Sequence, residues 1–335
     1  MAGAPVRYAI LGFGHHAVRR LVPAFANCHD AVLVGVWRRN GEALDRNCAE
    51  FKIPHAFRSR EELCASADVD AVFITSPDAM HKEDALLAFA HGKAVLCEKP
   101  MAMNAAEAEQ MADAAAKAGV PFGVAQNFRW NRTLEWMLEQ IRGGGIGEPQ
   151  LAQAQFAYPA QKAPRAWIAD PALACGGPIG DVGVHCIDAL RFLLDRKVET
   201  VSTLARKDAE SGEVEAVANL QMQMSGGVYA TVTVSARAPY RTLIEITGSE
   251  GVLFTENGLS VDRPVEVVLR RAGEIAEQKT LSNGDGYTRM LDDFALAVRA
   301  HKSFAASGTD GVTNMQALDA AYRSWRSGQR EPTKR

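Results

Sequence analysis

The sequence predicts an α/β fold in two parts: a doubly wound parallel sheet first, then an α/β domain built on an open, mainly antiparallel sheet. Three observations lead there. Up to residue 126, short apolar runs alternate with helix-period segments, the mark of βαβ units and a parallel sheet. A glycine-rich turn follows the first of those runs. Beyond residue 126 strand-like segments follow one another with less helical interruption, and 335 residues exceed what one core usually serves. Two domains are therefore expected, 1–126 and 127–335.

In chain order, Val6–Leu11 is an apolar run ending at glycine, hence a strand, and a helix starting near His15 closes at Pro23–Asn27. The alternation continues with strand Ala31–Trp37, helix Gly41–Phe51, a short element near His55–Phe57, helix Ser59–Ala65 and strand Ala71–Thr75. Helix Lys82–His91, strand Ala94–Cys97, helix Asn104–Ala118 and strand Pro121–Ala125 complete the first part. Parallel strands covered on both faces read as unbroken apolar runs, as Ala71-Val72-Phe73-Ile74 does.

After helix Thr133–Arg142 and the turn Gly143-Gly144-Gly145 come strands Leu151–Tyr158, Glu199–Arg206, Val214–Met224, Val228–Ala236, Thr242–Thr247, Gly251–Thr255 and Val265–Arg270. Ser225-Gly226-Gly227 and Asn257-Gly258 are hairpin signals. Val214, Ala216, Ala218, Leu220, Met222 and Met224 alternate with Glu213, Glu215, Asn219, Gln221 and Gln223, so one sheet face is buried and the other polar. Solvent and a subunit-pairing surface explain that polar face equally well; a homodimer or homotetramer through the sheet is expected. Helices Gly286–His301 and Gly311–Ser327 close the chain.

Composition removes several function classes. Charged residues make up 23% and the net charge is -3, which leaves no basic footprint for nucleic acid. No stretch approaches the roughly 18 apolar residues that a membrane-spanning helix needs. Met1–Gly14 lacks the charge-then-apolar pattern of a secretory signal. The six cysteines are scattered without a CxxC pair, which argues against a structural metal or a disulfide framework and for the cytoplasm.

Gly12-Phe13-Gly14-His15-His16-Ala17 reads GxGxxA between a strand and a helix. In that setting the first glycine makes the turn, the second admits a pyrophosphate to the backbone, and the small third residue lets helix pack on strand. The helix start then offers free N–H groups to phosphates. At the end of the second strand, Val36-Trp37-Arg38-Arg39-Asn40 carries two arginines and no carboxylate. A carboxylate would hold the ribose 2'-hydroxyl of NAD, whereas arginine accommodates the 2'-phosphate of NADP. NADP(H) is the expected cofactor, with NAD(H) second; stacking of Arg38 on adenine is the other reading of that residue.

Downstream, Gly176-Gly177-Pro178-Ile179-Gly180-Asp181 leads into an expected helix Val182–Leu194. Asp181 would be its N-cap, with His185 and Asp188 on nearly the same face. A capped helix with a satisfied histidine and a pocket shared by carboxylate and imidazole both fit this pattern.

Together with Glu98-Lys99-Pro100, these signatures resemble the Gfo/Idh/MocA oxidoreductase family. Thr75-Ser76-Pro77-Asp78 with His81 is similar to the stretch at the end of that family's fourth strand, and Gly92–Pro100 to its GKhVlxEKP stretch. The resemblance covers essentially the whole chain. It implies a Rossmann domain, a nicotinamide cofactor in the cleft between the domains, and substrates that are sugars, cyclitols or their derivatives. It also implies that Thr75, Ser76, Pro77, His81, Glu98, Lys99, Gln126 and Trp167 join the Gly12–His16 and Trp37–Arg39 segments in holding the cofactor.

By the same resemblance Lys99 is a catalytic lysine, Asp181 a substrate-binding or proton-relay carboxylate, and His185 the general acid/base. Removing hydride from a carbinol carbon needs a base for the hydroxyl proton, and histidine suits neutral pH. Lys99, Asp181, His185 and Arg129 are the candidate substrate contacts, Arg129 alternatively bridging the domains. Asp188 either orients its neighbours or lies on the helix surface. The sequence departs from the family at Asp78, where asparagine is common, and at Ile168 after Trp167, where some NADP-dependent relatives have arginine. Substrate choice is expected in the loop Tyr158–Ala174. Two further readings remain beside a sugar oxidoreductase: a nicotinamide-dependent glycosidase of the same family and a non-catalytic dinucleotide-binding sensor.

Overall fold

A computed structural model describes residues 3–160, 166–302 and 304–334. Part of the loop expected to set substrate choice, residues 161–165, lies outside the described residues. The chain packs as two compact units.

The first unit holds β1 (Val6–Leu11), β2 (Ala31–Trp37), β3 (His55–Ala56), β4 (Ala71–Ile74), β5 (Ala94–Cys97) and β6 (Phe122–Val124). They form one sheet in the order β3-β2-β1-β4-β5-β6, every pair parallel. The apolar runs explain this: every residue of β4 and β5 is buried, as a strand covered on both faces requires. The strand order reverses between β1 and β4, and in such sheets ligands bind beyond the carboxyl ends of the strands at that switch point. Helices fall where the caps predict. Asn40, Ser59 and Asn104 accept backbone N–H bonds at the starts of helices Gly41–Phe51, Arg60–Ala65 and Ala105–Ala118.

The sequence reading divides the chain once, after residue 126, whereas the first unit takes in Met1–Ala125 together with Tyr287–Val312. Its core needs the returning segment. Phe294, fully buried, lies 6.4 Å from Tyr8 and 5.1 Å from Phe304, ring centre to ring centre, and Ser307 bridges to Gly123 of β6. Local periodicity carries no trace of a contact almost 300 residues long.

The second unit is built on β7 (Pro149–Ala157), β8 (Val198–Arg206), β9 (Val217–Met224), β10 (Tyr229–Ser235), β11 (Arg241–Gly248), β12 (Val252–Glu256), β13 (Pro264–Arg271), β14 (Glu274–Ser282) and β15 (Glu331–Pro332). Their order is β14-β13-β12-β11-β7-β10-β9-β8-β15. Among the described strands of this sheet, only β7 and β10 pair in parallel. Helix Val184–Leu194 packs on β7 and β10, whose Ala152, Ala154, Val232 and Val234 are buried, and helix Arg132–Arg142 packs on that helix and on β13 and β14. Gln153 and Gln221 on the other face are exposed.

Two strands escape sequence reading. Glu274–Ser282 is an exposed edge with no apolar alternation, and Glu331–Pro332 is too short to carry a pattern. One side chain is misplaced by it as well: Glu215, assigned to the polar face, is 1% exposed. The strand starts at Val217, not Val214, so the alternation does not govern residue 215.

Candidate active site

At the end of β1, Gly12 has φ 95°. A Cβ there would lie 2.5 Å from the Ser76 nitrogen and 2.8 Å from its Cα, so only glycine lets the ends of β1 and β4 pass this closely. The N–H groups of Gly12 and Phe13 bond the Trp37 carbonyl at 3.0 and 2.9 Å. The Thr75 hydroxyl donates to the Gly12 carbonyl at 3.0 Å. The Phe13 ring is buried in a T-shaped arrangement with Phe51, 6.5 Å between ring centres. The helix begins at His15, which is exposed, and passes through a π-helical turn at Ala17–Leu21. The first N–H groups of a helix lack intrahelical acceptors, which makes this start an anion cradle.

Beyond β2, Trp37 and Arg38 are half-buried and Arg39 is exposed. The Arg38 guanidinium donates to Asn47 Oδ1 at 2.8 Å, so the helix that Asn40 caps also fixes the direction of this arginine.

The turn after β4 is braced from within. The Ser76 hydroxyl donates to Asp84 at 2.7 Å, and Arg60 donates to the other oxygen of that carboxylate at 2.7 Å. Burial pushes the Asp84 carboxyl up, opposed by these two donors. His81 is fully buried, with Nδ1 3.0 Å from the Pro100 carbonyl and Nε2 2.9 Å from the Ser76 carbonyl. Both ring nitrogens are engaged inside the protein, so His81 ties this turn to the next one. Pro77 is half-buried, and Asp78, at the family's usual asparagine, is buried.

After β5 the Glu98 carboxylate lies 2.9 Å from His16 Nε2 and accepts the Lys99 N–H at 3.2 Å. Burial alone would raise the Glu98 carboxyl, but the charges of His16 and Lys99 and the bonds they make outweigh it and hold the group at about 2. Lys99 is half-buried and the Lys99–Pro100 bond is cis. Cys97 and Cys186 are buried and their thiols pushed up, which removes both as nucleophiles.

In the second unit the helix starts earlier than expected. Ile179–Gly183 form a π-helical turn that runs into helix Val184–Leu194, so Asp181 lies within the turn and is not an N-cap. The acceptor at this helix start is Glu215. Its carboxylate takes the N–H of Gly177 at 3.1 Å and of Ile179 at 2.7 Å, and the Tyr322 hydroxyl at 3.1 Å.

Asp181 accepts a hydrogen bond from the Tyr158 hydroxyl at the end of β7. His185, one turn on, is 6% exposed, with the Phe128 ring edge-on at 4.5 Å and the Phe156 ring stacked at 6.4 Å. Asp188 is engaged elsewhere: Arg129 donates to it at 2.8 and 2.5 Å, and Asn314 at 2.7 Å. Arg191 in turn donates to Asn314 at 2.5 Å. Arg129 therefore lies in a buried network inside the second unit. Gln126 is 2% exposed, and its side-chain oxygen meets no donor among the described residues. Trp167 is half-buried in the turn Ala166–Ala169.

No sequence motif marks Glu215, Asn314, Tyr322 or Tyr158 as a site residue. An acid flanked by valine and alanine was the one available signal for Glu215; the others had none.

Residues 6–126 match the model of an oxidoreductase family with an NAD-binding Rossmann fold, and residues 135–254 match the GFO/IDH/MocA C-terminal domain. The chain belongs to the Gfo/Idh/MocA oxidoreductase family. It is 32% identical over 278 residues to a 1,5-anhydro-D-fructose reductase of Ensifer adhaerens, covering 81% of this chain and 82% of that one. A D-xylose 1-dehydrogenase [NADP(+)] of Haloarcula marismortui is 29% identical, covering 96% and 91%. The structure of an aldose-aldose oxidoreductase from Caulobacter crescentus superposes with TM-score 0.90 at 24% identity, covering 98% and 99%, a likeness of fold alone.

Proposed function

We propose that this member of the family is an NADP(H)-dependent oxidoreductase that moves hydride between the nicotinamide and a carbinol or carbonyl carbon of a sugar, polyol or sugar derivative. The turn carrying Asp181 and His185 carries this reading: it puts an imidazole one helical turn from a carboxylate, beside the Phe128 and Phe156 rings. The names of the two sequence relatives, a reductase and a dehydrogenase of sugars, support the substrate class.

The dinucleotide fits the residues present. The Gly12–Ala17 turn gives the pyrophosphate bare backbone and a helix start, and Arg38, held by Asn47, answers a 2'-phosphate. Gln126 offers a buried acceptor to an amide N–H. Bound NADP(H) would supply the hydride chemistry, and the protein the positioning and proton transfer. His185 takes the hydroxyl proton during oxidation and returns it during reduction. The Asp181 carboxylate, held by Tyr158, favours the protonated imidazole that forms, and Lys99 orients the reacting oxygen. We further place the protein in the cytoplasm, as its scattered cysteines suggest, and pair its subunits through the sheet face that leaves Leu204 and Tyr229 exposed; light scattering in solution checks the pairing.

The test is a panel of aldoses, polyols and 1,5-anhydro-D-fructose with NADP+ or NADPH, followed at the reduced-nicotinamide absorbance. Turnover is expected with at least one sugar. No turnover by NADP(H)-bound protein, or glycoside cleavage without net nicotinamide change, overturns the proposal. Arg38→Ala should weaken NADP+ binding by about 10- to 100-fold, the worth of one charge-assisted phosphate contact, and leave NAD+ binding unchanged. Equal weakening of both cofactors would remove Arg38 from the selection.

A further inference from the structure

Glu215 stands out among the buried charges because it serves none of the motifs. It precedes β9, is 1% exposed, and turns both carboxylate oxygens onto the backbone of the glycine segment: Oε2 takes the Gly177 N–H at 3.1 Å and Oε1 the Ile179 N–H at 2.7 Å. Tyr322, from helix Gly308–Ser327, donates to the same Oε1 at 3.1 Å. The same two residues also approach the segment too closely for any side chain. A Cβ on Gly176 would lie 1.8 Å from the Tyr322 hydroxyl, and one on Gly177 2.0 Å from the Glu215 carbonyl oxygen. Asp181 follows directly, its N–H bonded to the Gly177 carbonyl at 3.0 Å, and His185 one turn later.

We propose that Glu215 and Tyr322 are positioning residues: together they clamp Gly176–Ile179 so that the turn presents Asp181 and His185 in one fixed geometry. The physical case has three parts. Two N–H groups at a helix start have no intrahelical acceptor, and a carboxylate is the strongest acceptor a side chain offers there. Its two oxygens pin two amides two residues apart, which fixes the rotation of the helix start as well as its position. A carboxylate buried this completely tolerates no partial satisfaction, so the clamp is held in one state. The proposal rests on the reading of Asp181 and His185 given above.

The experiment uses the full-length chain with bound NADPH. Hydrogen–deuterium exchange is read over residues 176–186, and kcat and KM are measured with the best sugar of the panel, for Glu215→Gln, Glu215→Ala and Tyr322→Phe. Glutamine keeps one acceptor oxygen but sets its amide N–H against the other backbone N–H. It should therefore retain part of the activity that alanine loses. In Glu215→Ala the segment should exchange at least about 10-fold faster and kcat per bound cofactor fall about 100-fold. KM for the dinucleotide should stay within about two-fold, since the first unit supplies its phosphate cradle. Tyr322→Phe should cost less than either change at Glu215. Unchanged exchange, or faster exchange with unchanged kcat, overturns the positioning role. Should Glu215→Ala fail to fold, the glutamine and phenylalanine variants decide by the same readings. Asp181→Asn and His185→Ala separate the two levels: full kcat in these overturns the site itself, while its loss there with full kcat in the Glu215 variants overturns the clamp alone.

Discussion

Glu98 joins the glycine turn to the segment after β5 in the first unit, since its carboxylate meets His16 and the Lys99 N–H. Its group titrates near 2 in the folded chain against 4.5 as the ordinary value. The stability this contributes is fully present above about pH 4.5 and is lost as pH falls toward 2, because the unfolded chain takes up the proton first. Its size is on the order of 3 kcal/mol. Glu98→Gln should therefore be less stable than the parent at pH 7, with the difference shrinking between pH 5 and pH 2. Urea unfolding at several pH values reads this, and a constant difference across that range would show that the pair adds nothing. Residues of this kind were legible because they sit inside contiguous motifs: Gly12, Lys99, Asp181 and His185 are each announced by their neighbours. Glu215 and Tyr322 were not, because they meet across 107 residues and each has an unremarkable local setting.

On the proposed function, the element that decides nucleotide binding is the passage from β1 into its helix. Gly12 combines φ 95° with a β4 end only 2.5 Å from where a Cβ would stand, and the obstructing atoms are backbone, which cannot swing aside as a side chain would. Gly12→Ala should cost about 1–3 kcal/mol in strain and displacement. It should also weaken NADPH binding by at least about 10-fold, measured by fluorescence titration. Binding equal to that of the parent would mean the turn is not the pyrophosphate cradle. At this scale the sequence is legible wherever burial is two-sided or a cap is local, as in β4, β5 and the helix capped by Asn40. It is not legible where the deciding partner is remote. The helical turn leading to His185 begins at Ile179, where Glu215 accepts the backbone N–H, a partner that no reading of residues 176–188 reveals. The edge strand Glu274–Ser282 has no apolar face to betray it.

On the scale of the whole chain, the informative feature is the return of Tyr287–Val312 to the first unit. A division after residue 126 would assign Phe294 to the second unit, yet its ring is fully buried beside Tyr8 of β1 and Phe304. The two assignments make opposite predictions for one substitution. Phe294→Ala removes a large ring from a closed core, which costs about 3–5 kcal/mol, and that loss falls on whichever unit owns the residue. On the proposed function NADPH seats its phosphates on the first unit, and a ligand bound to the folded state raises most the transition of the part that holds it. Calorimetry of the parent with and without NADPH therefore identifies that transition, and Phe294→Ala should lower the same one by several degrees while leaving the other in place. Movement of the NADPH-insensitive transition instead would return Phe294 to the second unit. Because Phe294 belongs to none of the glycine, Glu98-Lys99 or Arg38 segments, any loss of nucleotide affinity in this variant at low temperature should be small, and should grow only as the first unit begins to unfold.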